Sequence, residues 1–305
     1  MANKIMSMSE AIGRFVKDGM SVVMGTALES LIPFAAGHEI IRQEKRELTL
    51  VGPISDMLFD QIIGAGCARR ARVAWIGNVS MGSSYNFRRA VEEEIPRPLE
   101  VEDHSNLTIC MALHAAALGV PFLPTRTALG SGIMASNKNI ETMIAPFTGE
   151  KMAAVRAIAP DVAILPVQRC DPEGNAHLWG NTGVSVDAAN ASRCVILVTE
   201  EIVSPDIIRS DPNRTMIPGF LVAAAVCESF GSHPSPVQGY WGRDHQAYVE
   251  YHGETRTRSG FEAWLETWVL GVNNRREYRE KLGAERVEKL RVRQDAFSVP
   301  VNFGY

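Results

Sequence analysis

The chain has no apolar run of membrane-spanning length, no CxxC pair, no basic cluster, and no familiar nucleotide, metal or hydrolase motif. Each absence removes a class of function. Without about 18 consecutive apolar residues, a transmembrane helix is not expected. The start, MANKIMSMSEAIGRF, lacks the long apolar core of a secretory leader, so the cytoplasm is the expected compartment. Cys67, Cys110, Cys170, Cys194 and Cys227 lie far apart, mostly in apolar runs. An odd number without ligand spacing points to reduced, inert packing thiols. A net charge of −4 with no long basic run makes nucleic acid and anionic membrane poor partners.

Site motifs are missing in the same way. His38, His104, His114, His177, His233, His245 and His252 form no HxH or HExxH pair, so no metal site is expected. Neither GxGxxG nor a P-loop is present, so a bound dinucleotide or nucleoside triphosphate is not indicated. GSSY and GSGI lack the strand-to-helix setting of a nucleophile elbow, which argues against Ser-His-Asp catalysis. There is no internal repeat, low-complexity tract or clear linker.

What is present is 305 residues with 46% hydrophobic and 22% charged side chains, enough for a large core. The stretch Val22 to Ile41, VVMGTALESLIPFAAGHEII, organises the rest. An apolar β-branched run, SVVM, gives way to a glycine turn, then Pro33 and an amphipathic helix. Strand, turn and helix in this order make half of a βαβ unit, which implies a parallel sheet. Gly25 permits a tight turn, and Pro33 suits the first turn of a helix.

Further strands are expected at RELTLVGP, RRARVAWIG, PLEVEDHS, VPFLPT, the two halves of KMAAVRAIAPDVAILPVQRCD, and RCVILVTE. Helices are expected at AIGRFV, SDMLFDQIIGAG, Tyr85 to Glu94, and NLTICMALHAAALG. From Asp206, IIRSDPNRTMIPG and SFGSHPSPVQGYWGRD read as long ordered loops. The tail from Ser259 to Leu290 reads as helical, with Phe261, Trp264, Leu265 and Trp268 on one core-capping face. The simplest division is one α/β domain over residues 1–305, with 259–290 as a C-terminal helical appendage.

In a parallel sheet, ligands bind beyond the carboxyl ends of the strands, where backbone N–H groups can face an anion or a developing oxyanion. The turn Gly25-Thr26-Ala27 is such a place, although an ordinary βα connection would look the same. Glu29 could hold a substrate or face solvent. Glu102-Asp103-His104-Ser105 is a polar cluster, or simply the cap of the next helix. The residues alone indicate an α/β enzyme with an anionic ligand, and they name no reaction.

Several segments taken together resemble the α subunits of the family I coenzyme A transferases, in the branch of the glutaconate and 3-oxoadipate enzymes. They are SLIPFAAGHEIIRQ, ELTLVGP, DQIIGAGCARR, EDHSN with HAAALGVPFLP, GSG, APDVAILPVQRCDPEGNAHLWG, VTEEIVSPDIIRSDPN, IPG and GSHPSPVQGYW, in order along nearly the whole chain. The resemblance implies an open, mostly parallel sheet with helices on both faces. It also implies a β subunit of similar fold, in an assembly such as α2β2 or α4β4. A coenzyme A thioester is the implied substrate, with no permanently bound cofactor.

The implied chemistry passes through a glutamyl–CoA thioester whose glutamate belongs to the β subunit, with the turn Gly25-Thr26-Ala27 lining the site. Relatives carry Gly-Gly-Phe or Glu-Gly-Phe there, so Ala27 implies more room. The acids of this branch carry a second polar group, which needs donors. Glu29, Ser30, Asn78, Ser80 and Ser131, with Thr26 beside the turn, are the candidates expected to line one rim. For each, a local turn role is the competing reading.

Two alternatives remain. One is a ring-opening hydrolase of CoA thioesters on the same scaffold, in which Glu102 would serve as the acid, although Asn106 stands where that acid is expected. The other is a non-catalytic ligand sensor, which would be expected to carry a DNA-binding segment.

Overall fold

Ser7 caps the first helix, α1 (Met8–Phe15), by accepting a hydrogen bond from the Glu10 N–H. The computed structural model describes residues 3–293; Met1, Ala2 and 294–305 of the expected domain lie outside the described residues. β1 (Ser21–Val23), α2 (Phe34–Arg42), β2 (Leu48–Ile54), α3 (Asp56–Gly64), β3 (Ala68–Trp75), α4 (Tyr85–Glu92), β4 (Glu100–Asp103) and α5 (Asn106–Ala117) then alternate as the apolar runs predict. A small insertion follows: β5 (Phe122–Thr125), α6 (Gly132–Ser136), β6 (Ile140–Ile144) and β7 (Lys151–Arg156). The chain re-enters the main sheet with β8 (Val162–Cys170), β9 (Ala176–His177), α7 (Ser185–Ala191), β10 (Cys194–Ile202), α8 (Pro205–Ser210), β11 (Thr215–Ile217) and β12 (Val222–Cys227). It closes with α9 (His245–Glu254), α10 (Arg258–Leu265), a π turn, α11 (Arg275–Leu282) and α12 (Ala284–Leu290).

Among the described residues, β12, β10, β8, β1, β2, β3 and β4 lie side by side in that order, all parallel. β9 and β11 add an antiparallel extension at the carboxyl end of β8. Side-chain parity sorts the core onto two faces, because successive residues of a strand point in opposite directions. Val22, Leu50, Ile164 and Ile196 join one buried cluster with α1–α3 and α10. Val23, Val51, Leu165 and Leu197 join the other with α5, α7 and α11–α12. This is the open, mostly parallel sheet with helices on both faces.

Three readings of the sequence need correction. The strand at VPFLPT does not belong to the main sheet: β5, β7 and β6 form a separate antiparallel sheet. TALGSGIMASN, whose glycines and serines read as a loop, forms α6 in part, and the region read as loops after Asp206 contains α8 and β11. β6, β12 and α9 were not anticipated. β12 is VAAAVC, whose alanines carry little strand propensity, and partnership with β10 makes it a strand. α9, HQAYVEYHGE, has too few regularly spaced apolar residues to announce itself, and Asp244 caps it.

Buried charges tie the C-terminal helices to the sheet. Arg275 donates to the carbonyls of Phe230, Gly231 and His233. Asp244 accepts from the His233 ring at 2.9 Å and from Arg286 of α12 at 2.7 Å. Burial pushes His233 down to about 4, so its ring is neutral at pH 7. Burial works to raise Asp244, but the bonds from His233 and Arg286 override it and hold the carboxyl well below its usual range. Removing Asp244 leaves the buried His233 ring without its acceptor, while Arg286 keeps Glu250. Asp244→Ala is therefore expected to cost about 1–3 kcal/mol, read as a lower urea midpoint than wild type.

Candidate active site

Strand order reverses at one place. From β1 the chain moves to β2 on one side, and it later returns to β8 on the other. In open parallel sheets this switch point leaves a crevice beyond the carboxyl ends of the two strands. The residues that leave β1 there are Met24, Gly25, Thr26 and Ala27.

Gly25 has φ +66°, a conformation disfavoured for side chains. A β-carbon on it would also lie 2.2 Å from Ser55 Oγ and 2.6 Å from the Ile54 carbonyl oxygen. The close approach is therefore to the exit of β2. Leu28 (φ 60°) and Leu31 (φ 52°) place further strain in the same turn. Two loops hold it. The Val184 N–H donates to the Thr26 carbonyl, Thr26 Oγ1 pairs with Ser185 Oγ at 2.7 Å, and Asn181 donates to the Ala27 carbonyl. From the segment GSHPSP, Ser235 Oγ accepts from Ile32 N–H and donates to the Glu29 carbonyl, while Pro236 O accepts from Leu31 N–H.

A second set of polar groups gathers at the exits of β2 and β3. Arg243 donates to Glu29 Oε2 at 3.1 Å and to Ser80 Oγ at 3.0 Å, joining the loops after β1 and β3. Its guanidinium lies 4.3 Å from the centroid of the Tyr248 ring. Asp56, buried at φ 51°, accepts from the Val79 N–H, and the Tyr248 hydroxyl lies beside it outside hydrogen-bonding geometry. Burial pushes the Asp56 carboxyl up to about 7, opposed by the neighbouring Tyr248 hydroxyl, the Val79 N–H and the Arg243 charge. Arg243 Nε, Asp56 Oδ2 and the Tyr248 hydroxyl are all buried without a hydrogen-bond partner. Three such atoms in one place are unusual in a folded chain.

The expected site residues separate accordingly. Gly25, Thr26, Ala27, Glu29, Ser30, Asn78 and Ser80 belong to the exits of β1 and β3. Thr26 is turned onto Ser185, and Ser30 bonds the Ala27 carbonyl at 3.2 Å. Ala27 is fully buried in the core, so the space left by the missing phenylalanine is not open at the rim. Asn78 is also buried: it accepts from Ser80 and Met81 and donates to the Tyr248 carbonyl. Glu29 and Ser80 meet at Arg243. Ser131 does not join them, because it follows β5 of the separate sheet and bonds its own turn at Ala128. Glu102 is engaged by Arg72 at 3.0 Å and His104 at 3.1 Å. Burial would raise its carboxyl, yet the His104 bond and the Arg72 charge prevail and hold it below its usual range.

Arg243, Asp56 and Tyr248 escaped the sequence reading. Arg243 stands in a segment read as loop, and Tyr248 in a helix that the apolar pattern does not reveal. Asp56 follows Ser55 as an ordinary helix-start residue would. Nothing local links the three.

Among the described residues no His, Cys, Asp and Glu cluster is arranged to hold a metal ion, and no helix is long and apolar enough to cross a membrane. All five cysteines are free thiols; burial pushes Cys67 up to about 11 and Cys170 to about 12.

Residues 5–228 match the family described as Coenzyme A transferase. The chain belongs to the coenzyme A transferase family. It is 38% identical to the A-type subunit of the 3-oxoadipate CoA-transferase of Pseudomonas knackmussii, over 92% of this chain and 98% of that one. It is 33% identical to the A-type subunit of the glutaconate CoA-transferase of Acidaminococcus fermentans, over 95% of each. The crystal structure of the latter enzyme superposes with a TM-score of 0.91, at 32% identity, over 96% of this chain and 97% of that chain. A cholesterol ring-cleaving hydrolase subunit of Rhodococcus jostii is more distant, 24% identical over 88% of this chain and 93% of its own length. The protein is thus a CoA-transferase subunit of the A type. Enzymes of this family act on coenzyme A thioesters, and both relatives are named as A subunits of their own enzymes.

Two measurements probe this site. Gly25→Val forces a side chain against Ser55 and Ile54 in a disfavoured φ, so it is expected to lower the melting temperature as well as transfer activity. For Asp56, a raised carboxyl means the folded chain keeps a proton, between about pH 4 and pH 7, that the unfolded chain has released. Stability therefore falls as pH rises through that window. Asp56→Asn is expected to flatten this slope, gaining on wild type at pH 8 relative to pH 4 in urea unfolding.

Proposed function

We propose that this chain works with a B subunit to move coenzyme A between an acyl-CoA and a free dicarboxylic or 3-oxo acid. The observation that carries this reading is end-to-end similarity to A-type subunits whose names specify 3-oxoadipate and glutaconate, both dicarboxylates.

A glutamate carboxylate, contributed by the B subunit, attacks the thioester carbonyl and expels the CoA thiolate, leaving a mixed anhydride. The thiolate returns to the glutamyl carbonyl, releasing the first acid and forming a glutamyl–CoA thioester. The second acid repeats these steps in reverse, so one difficult exchange becomes several easier ones. Negative charge develops on carbonyl oxygen at each attack, and backbone N–H groups of the turn Gly25-Thr26-Ala27 are suited to receive it. The turn is pre-organised for this role, since its carbonyls are tied down by Val184 and Asn181.

The hydrolase alternative gains nothing from Glu102. A general acid must hold a proton near neutral pH, whereas Arg72 and His104 keep this carboxyl ionised. A ligand sensor is at odds with membership of an enzyme family over residues 5–228.

The present chain alone is expected to show no acyl-CoA turnover, and transfer should appear on adding the B-type chain. A competition among free acids should favour dicarboxylates and 3-oxo acids over acetate and butyrate. Turnover by the isolated chain, or thioester loss without an acceptor acid, would contradict this assignment.

A further inference from the structure

We propose that Arg243 is the cation that receives the far carboxylate of the acid substrate, and that Glu29 holds its place in the empty site. This rests on the dicarboxylate-transfer reading above and adds the residue that would enforce it.

The geometry of the ion pair is lopsided. The Arg243 side chain is 2% exposed, while that of Glu29 is 34% exposed. A buried guanidinium needs an anion, and among the described residues the carboxylate in contact with it is Glu29. An anion arriving from solvent therefore meets the replaceable member of the pair. It can take over the charge without exposing the guanidinium to water.

The guanidinium also has unused capacity. Glu29 engages it through one nitrogen, Nη1, and Ser80 takes Nη2. Nε is buried and donates to nothing. An acid taking Glu29's place end-on would find two parallel donors, Nη1 and the second hydrogen of Nη2, where Glu29 engages Nη1 alone. The plane of the fork is fixed beforehand by the Tyr248 ring beneath it and by the Ser80 hydroxyl. Its position is also suitable, because Glu29 follows the strand at the switch point and Ser80 follows β3 two places away. Because β1, β2 and β3 are parallel, both loops leave the sheet at the same edge as the Gly25 turn.

The test uses the assembled two-subunit enzyme with two acceptors of equal length, glutarate and valerate. Arg243→Gln should raise the KM for glutarate about 30-fold or more, the loss of a charge-assisted bidentate contact, and shift that for valerate by less than about 3-fold. Arg243→Lys keeps the charge without the fork and should fall between; it also serves should Arg243→Gln fail to fold. Glu29→Gln removes the resident anion. It should lower the KM for glutarate and enlarge the rise in melting temperature that glutarate produces, leaving the response to valerate small. Equal losses on both acids in the Arg243 variants would reduce Arg243 to a tie between two loops. Loss of all turnover in a folded Glu29→Gln enzyme would make Glu29 a reacting group and overturn its placeholder role. Failure of wild type to transfer CoA to any acid would instead overturn the transfer reading itself.

Discussion

The backbone leaving β1 crosses the exit of β2 at a distance that admits no side chain, and the rest of the site is arranged around that crossing. A β-carbon at Gly25 would meet Ser55 and the Ile54 carbonyl, and one at Gly52 would meet the Met24 carbonyl at 2.2 Å. Two adjacent strands thus meet through paired glycines, and Ser55 Oγ closes the join by donating to the Met24 carbonyl. The contact joins β1 to β2, next to the reversal of strand order between β1 and β8, so the turn that packs against β2 also borders the crevice. The strained residues Leu28 and Leu31 persist only because two distant loops, 181–185 and 231–236, hold their backbone from outside.

Buried charge is the second theme. Arg275 spends its donors on three carbonyls, and Asp244 gathers His233, Arg286 and the start of α9. Those networks are satisfied, and they hold the C-terminal helices in place. The group around Arg243 and Asp56 differs, because three of its buried polar atoms lack partners. Unsatisfied buried groups are costly, so their concentration at the strand exits is better suited to a ligand-binding role than to a purely structural one.

Much of the fold was legible from local pattern. Apolar runs at SVVM, RELTLVGP, RRARVAWIG and RCVILVTE formed strands because each carries β-branched residues and is bounded by turn residues. The pattern failed where partnership outweighs propensity, as in the alanine-rich β12 and the polar α9. It also could not tell that β5 leaves the main sheet, since a strand's partners are not written in its own residues. Of the site, the glycine turn and Glu29 were visible as features of one βα connection. Ser131 was misplaced for the same reason as β5.

By itself the sequence determined most element types, the glycine demanded after β1, the want of metal and nucleotide motifs, and, through many weak matches in order, the family. Each of these depends on residues close in the chain or on resemblance along it. Tertiary structure alone decided which polar groups meet. Arg243 reaches Glu29 across 214 positions and Ser80 across 163, and Tyr248 comes to lie beneath it. No local signal can report such a meeting, because only the packing of the segment after β12 against the strand exits brings a guanidinium, a carboxylate and a hydroxyl together.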